Sequence, residues 1–342
     1  MIRVFVVDDS AFVRRALTRV LATQPGFKVV GAAESGAEAL AKVPAADPDF
    51  VTLDVEMPGM DGLRVLPALL RWKPSLRVVM LSAHTRQGAD ATVAALAAGA
   101  VDFIDKSAFN VMDLEFLRRE VVDRMQALIP ATGAGAGTAN GIRTSASADH
   151  AVLEELRASE LCVIGASTGG PPALQRILER LPARFPLPIV VVQHMPPGFT
   201  EAFAKRLDTV SRLRVSEGVE GMRLTGGRVV VAPGGRHLRI SSGLAVVLTP
   251  EPSEARHIPS IDVTMRSAAR SRPGRVLGIL LTGMGEDGAD GMATIRAGGG
   301  VTIAESESSC VVYGMPRAAV RRGGASLVLP LEEIGELLAG LA

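Results

Sequence analysis

Residues 161–173 constrain this chain most: an apolar run, Leu161 to Ile164, passes through Gly165, Ala166, Ser167, Thr168, Gly169 and Gly170 and restarts at Pro171-Pro172. A short apolar run bounded by glycines reads as a buried strand. Proline suits the first turn of a helix, where its missing N–H costs nothing. The segment therefore predicts a strand, a tight turn and a helix, which is the building unit of an α/β sheet. Its turn presents one hydroxyl, Ser167, beside a helix N-terminus, whose free N–H groups and dipole favour developing negative charge. A serine there is placed to attack an ester or amide carbonyl.

Serine needs a base, and the base needs an orienting group. The apolar run 187–193 delivers His194 at its carboxyl end, and the run 276–281 leads through Thr282, Gly283, Met284, Gly285 and Glu286 to Asp287. In an open α/β sheet functional groups gather beyond the carboxyl ends of neighbouring strands, so Ser167, His194 and Asp287 can meet despite their separation. His194 then takes the Ser167 proton and Asp287 fixes the imidazole. Backbone N–H groups of 165–170 and 283–285 are the candidate oxyanion donors. His237 and His257 are the alternative bases and Asp262 the alternative acid, while His84 and His150 fall in the other half of the chain and in a linker. The same glycine turn could instead cradle a phosphate, although G-x-G-x-x-G is absent. The order Ser, His, Asp also departs from that of the α/β-hydrolases. The 283–291 segment lacks the alternating ligands of a calcium loop.

A second chemistry lies in the first half. The run Ile2 to Val7 ends at Asp8 and Asp9, and Phe50 to Leu53 ends at Asp54. Carboxylates grouped in one pocket repel one another unless a hard cation joins them, which suits Mg²⁺. Residues 78–81 end at Ser82, whose hydroxyl can bond a phosphoryl oxygen, and residues 100–105 lead to Lys106, whose ammonium can pair with it. Helical patterns over 10–23 and 89–98 separate these runs, predicting a five-stranded doubly wound domain.

Asp8-Asp9-Ser10, the stretch from Leu53 and Asp54 to Gly62, Ser82 and the run Asp102 to Lys106 closely resemble the phosphoacceptor receiver domain of two-component response regulators, over residues 1 to about 125. The resemblance implies phosphorylation of Asp54, Mg²⁺ held by Asp8, Asp9 and Asp54, phosphoryl sensing by Ser82 and Lys106, and Phe103 in the aromatic switch position. Ser107 follows Lys106 where such domains usually carry proline, a departure that bears on phosphorylation kinetics.

At 342 residues the chain is long enough for two cores. The expected division is a receiver domain over 1–125, a flexible linker over 126–150, small and polar from Pro130 onward, and a catalytic domain over 151–342. A net charge of +1 gives no electrostatic case for nucleic acid. No signal peptide is visible, no apolar run approaches the roughly 18 residues of a membrane span, and Cys162 and Cys310 lack metal or redox spacing. The expectation is a cytoplasmic protein that is not membrane-embedded. In the second half, helices and strands alternate through 199–207, 258–269, 288–297, 301–304 and 315–321. The runs 228–232, 237–240 and 244–248 are expected to form an antiparallel ribbon on one edge of a mostly parallel sheet, with Ser241-Ser242-Gly243 as a hairpin turn.

Across the whole chain, Gly165 to Gly170, Gln193-His194-Met195, Ala232 to His237, Pro259 to Asp262 and Leu281 to Gly288 are similar to the protein-glutamate methylesterase family of bacterial chemotaxis, with its receiver domain in front. The resemblance implies Ser167 as nucleophile, His194 as base, Asp287 as third member and Met284 as oxyanion N–H donor, with no cofactor for the esterase reaction. It further implies hydrolysis of γ-glutamyl methyl esters on chemoreceptor cytoplasmic helices with release of methanol, glutamine deamidation as a second activity, and the chemotaxis histidine kinase as phosphodonor. The unphosphorylated receiver is expected to restrict access to the cleft. The rival readings are a receiver-controlled esterase or amidase with a non-receptor substrate, and a non-catalytic phosphorylation-controlled adaptor using the 165–170 loop for phosphate.

Overall fold

The computed structural model describes residues 1–83, 85–106, 117–129, 150–253 and 255–342, with backbone alone for 150–153. The chain divides into two units, Met1–Ile129 and Pro130–Ala342. Most of the linker predicted over 126–150 lies outside the described residues, as do Ser107 and His84.

The first unit is a five-stranded parallel sheet in the order β2-β1-β3-β4-β5, formed by β1 (Ile2–Val7), β2 (Phe27–Ala33), β3 (Phe50–Asp54), β4 (Arg77–Ser82) and β5 (Asp102–Asp105). Helices α1 (Ala11–Ala22), α2 (Gly36–Ala46), α3 (Gly62–Trp72) and α4 (Arg86–Ala97) connect them. Each helix begins at a side-chain cap: Ser10, Ser35, Asp61 and Thr85 accept from the first-turn amides of Val13, Glu38, Arg64 and Gly88. Such a cap satisfies an otherwise orphaned donor and stabilises a helix by about 1 kcal/mol. The strand order reverses between β1 and β3, the place where open sheets bind ligands, and there the chain has put Asp8 and Asp54.

The second unit holds a seven-stranded sheet in the order β14-β13-β12-β6-β7-β9-β8, all of its pairs parallel. Its members are β6 (Leu161–Ala166), β7 (Ile189–Gln193), β8 (Arg214–Glu217), β9 (Arg228–Val231), β12 (Val276–Leu280), β13 (Val301–Glu305) and β14 (Leu327–Leu329). The strands β6, β7, β12 and β13 are buried along their whole length, as strands covered on both faces require. Each apolar side chain so buried contributes about 1.5–3 kcal/mol.

An antiparallel ribbon is present, but its membership differs from the sequence expectation. β10 (His237–Ile240) and β11 (Val246–Thr249) form a two-stranded sheet of their own, whereas β9 pairs in parallel with β7 and β8. Continuous burial of Val229, Val230 and Val231 is the signature of an interior strand, and that separates β9 from the half-exposed β11. The turn closes where Leu244 N–H donates to the Ser241 carbonyl. The ribbon packs on the helix Ile261–Ser271 through Leu238, Ile240 and Val246, which join Ile261, Met265 and Ala268 in one core.

β6 lies at the centre of the sheet, with β7 on one side and β12 on the other. From β6 the chain builds outward to β8 and β9, then returns to build through β12, β13 and β14. The carboxyl end of β6 is therefore the switch point of this second sheet.

Candidate active site

Ser167 follows β6 and precedes the helix Gly170–Arg180. The turn between them needs Gly169 at φ 78°, and a Cβ there would lie 2.6 Å from Val311 Cβ. Glycine is the one residue that meets both demands without strain. The Ser167 amide donates to the Thr282 carbonyl at 3.0 Å, and the Ser167 carbonyl accepts from Gly170 N at 2.7 Å and from Gln193 Nε2 at 2.9 Å. The backbone on both sides of the hydroxyl is thus fixed.

His194 is delivered by β7, its amide bonded to the Ala166 carbonyl at 3.2 Å. Its Nδ1 lies 3.1 Å from Ser167 Oγ and its Nε2 lies 2.8 Å from Asp287 Oδ2. A carboxylate can only accept, so in the neutral ring Nε2 carries the hydrogen and the Nδ1 lone pair faces the serine hydroxyl. Asp287 accepts three further bonds: Ile261 N to Oδ2 at 2.7 Å, Asp262 N to Oδ1 at 3.0 Å and Ser260 Oγ to Oδ1 at 2.9 Å. Its carboxylate sits on the N-terminus of the helix Ile261–Ser271, where a negative charge is stabilised. Burial opposes ionisation of Asp287, but the hydrogen bond and charge of His194, joined by the two amides, prevail and hold it well below the ordinary carboxylate range.

The loop after β12 runs beside the serine. A Cβ on Gly283 would lie 2.7 Å from Ser167 Cβ, so only glycine allows this approach. Gly283 N–H donates to the Val312 carbonyl, and the Gly283 carbonyl accepts from Gly314 and Met315. The next amide, Met284 N–H, has no acceptor among the described residues.

The competing residues have other positions. His237 is fully buried; its Nδ1 accepts from Ser260 N–H at 3.1 Å and its Nε2 donates to the Pro252 carbonyl at 3.0 Å. It therefore holds the segment carrying Ser260, which in turn bonds Asp287. His257 stacks on the His194 ring, with centroids 4.1 Å apart and planes 16° from parallel. Asp262 accepts from Gly291 N at 2.6 Å, and burial pushes its carboxyl above the ordinary range.

In the first unit, Lys106 Nζ lies 2.9 Å from both Asp8 Oδ2 and Asp54 Oδ2. Burial, followed by the charge of Asp8 and offset by Lys106, pushes Asp54 up to about 6. Asp8 is raised too, chiefly by burial. Asp8, Asp9 and Asp54 each offer a carboxylate oxygen within 4.8 Å of the others. An all-oxygen set of this charge fits Mg²⁺. Ser82 is buried, its hydroxyl donating to the Gly88 carbonyl at 3.1 Å, and Phe103 is buried as well.

Residues 162–338 match the family model for the CheB methylesterase, and residues 4–115 match that for the response regulator receiver domain. The chain belongs to the CheB methylesterase family. A relative from Symbiobacterium thermophilum, named protein-glutamate methylesterase/protein-glutamine glutaminase, is 44% identical over 355 residues, covering 98% of this chain and 96% of its own. An Archaeoglobus fulgidus protein of the same name is also 44% identical, with the same coverage of both chains. The crystal structure of the Thermotoga maritima CheB methylesterase catalytic domain superposes with a TM-score of 0.52 at 41% identity, over 54% of this chain and 99% of that one. Membership makes the chain a hydrolase that carries a receiver domain. No helix among the described residues is long and apolar enough to cross a membrane.

Sequence reasoning had no role for Gln193, Thr282 or Glu305 in this methylesterase fold. Thr282 Oγ1 donates to the Thr168 carbonyl at 3.0 Å and accepts from Val312 N at 2.9 Å, and its own amide donates to the buried Glu305 at 2.7 Å. Gln193 and Glu305 end β7 and β13, and Thr282 lies two residues past the end of β12. That placement was the signal available in the sequence.

Proposed function

We propose that this protein hydrolyses γ-glutamyl methyl esters on the cytoplasmic helices of chemoreceptors, with Ser167 as nucleophile, His194 as base and Asp287 as its orienting acid. The observation that carries this reading is the continuous chain from Ser167 Oγ through both His194 nitrogens to Asp287, at 3.1 and 2.8 Å. As Ser167 Oγ bonds to the ester carbonyl carbon, its proton passes to His194 Nδ1, and the ionised Asp287 stabilises the resulting imidazolium. Met284 N–H is the oxyanion donor beside the serine. The C–O bond to the methoxy group then breaks, and the leaving oxygen takes the proton from His194 as methanol. Water next attacks the acyl-serine, again giving a proton to His194, which returns it to Ser167 Oγ. The product is a glutamate side chain. With glutamine the same steps release ammonia, so deamidation is the second activity.

In the receiver domain Asp54 is the phosphorylation site, supplied by the histidine kinase of the chemotaxis pathway. Asp8, Asp9 and Asp54 hold Mg²⁺, which when bound neutralises charge on the carboxylates and the phosphoryl group. Lys106 and Ser82 meet the phosphoryl oxygens, and Phe103 follows the change. Phosphorylation raises the esterase rate, and the protein works in the cytoplasm.

Methanol release from a methylated chemoreceptor cytoplasmic fragment tests this reading. Wild type is expected to release methanol and Ser167→Ala to release none while unfolding at the same temperature. Turnover retained by Ser167→Ala would overturn the nucleophile assignment. No release by folded wild type would point to another acyl substrate.

A further inference from the structure

We infer that Gln193 is a positioning residue that locks the nucleophile and its base to each other; the inference rests on Ser167 and His194 acting as proposed above. Gln193 is the last residue of β7 and is only 2% exposed. Its single carboxamide nitrogen donates to the Ser167 carbonyl at 2.9 Å and to the His194 carbonyl at 3.3 Å. Both hydrogens of one amide group thus tie the backbones of two residues that come from different strands.

The carboxamide can face only one way. Turning it over would set Oε1 against two carbonyl oxygens and lose both bonds, since an acceptor cannot bond an acceptor. On its other side Oε1 has no hydrogen-bond partner among the described residues and abuts Gly170, where a Cβ would lie 2.1 Å away. Gly170, bare of a side chain, makes room for the carboxamide in this orientation. A buried carboxamide held in one orientation by two donations needs a reason beyond packing. That reason is the 3.1 Å separation of Ser167 Oγ and His194 Nδ1, which strand pairing alone sets only to the precision of β6 against β7.

Thr282 works on the same turn from the opposite strand, accepting the Ser167 amide and donating to the Thr168 carbonyl. Gln193 differs in reaching the base as well. Its loss therefore moves the reacting pair apart and leaves substrate contacts alone.

The test uses the full chain as Gln193→Met, which keeps volume but removes both donors, and Gln193→Glu, which keeps shape but sets carboxylate oxygens against the carbonyls. Each folded variant is read by methyl-ester hydrolysis and by the rate at which a fluorophosphonate labels Ser167. The expected result is a kcat about 10–100-fold lower with KM within about twofold, and labelling slowed by a similar factor, since a misplacement near 1 Å costs rates of that order. Labelling needs no receptor substrate, so it reports the Ser167–His194 pair directly. A loss carried wholly by KM, or kcat and labelling within twofold of wild type in a folded variant, would overturn the inference. Absence of Ser167 labelling in wild type would instead remove the nucleophile reading, and this inference with it.

Discussion

Asp54 shows how burial and charge decide a single residue's chemistry. Its value of about 6, against an ordinary 3.8, arises from burial and then from the Asp8 carboxylate, with Lys106 compensating in part. Between these values the folded receiver keeps a proton that the unfolded chain has lost, so stability falls as pH rises from about 4 to about 6. The shift corresponds to roughly 1–3 kcal/mol, taking about 1.4 kcal/mol per unit as the upper bound. Asp54→Asn should therefore raise the receiver's unfolding free energy at pH 7.5 by that order and leave it unchanged near pH 4. A stability gain equal at both pH values would show that the charge of Asp54 is not its source. Because protons compete with the metal, Mg²⁺ affinity should weaken as pH drops through 6, a trend that fluorescence or calorimetric titration would reveal. The identity of Asp54 as a candidate phosphoacceptor was legible in the sequence, but its raised pKa was not, since its burial and its closeness to Asp8 come from the fold.

The helix Ile261–Ser271 donates first-turn bonds to the carboxylate to which the proposed reaction assigns the orientation of its base. Asp287 accepts the Ile261 and Asp262 amides and the hydroxyl of the cap residue Ser260. The same oxygen that holds His194 also closes this helix's first turn. Asp287→Ala should cost about 2–3 kcal/mol of stability in the second unit, because it strands buried donors. It should also lower kcat by about 10⁴ through loss of the imidazole's orientation. Ser167→Ala should abolish turnover yet leave stability within about 0.5 kcal/mol of wild type. Chemical denaturation of the two variants checks the pair; equal stabilities would mean that the helix does not need its carboxylate. The helix was legible from its periodicity, but its start moved from Ile258 to Ile261 because Pro259 precedes the cap. A donor set completed by a residue 25 positions away leaves no local trace.

In the whole molecule, each of the two units places its candidate site at a switch point of a parallel sheet. A small-molecule phosphodonor with Mg²⁺ should raise methanol release by full-length wild type several-fold and leave Asp54→Asn at its basal rate. Equal stimulation of both would place the donor's effect outside Asp54. The sequence by itself determined the alternation of strands and helices, the apolar runs that end in Asp8, Asp54, Ser167 and His194, and the glycines that free those ends, because periodicity and turn chemistry are local. It put His194 ahead of His237 and His257 and Asp287 ahead of Asp262, but it could not give the distances that join Ser167, His194 and Asp287. Nor could it separate β9 from the ribbon or find Gln193 between two carbonyls. Those outcomes required the order β12-β6-β7 and its register, since only the packed sheet brings strand ends 27 and 93 residues apart within 3.1 Å and 2.8 Å of one imidazole.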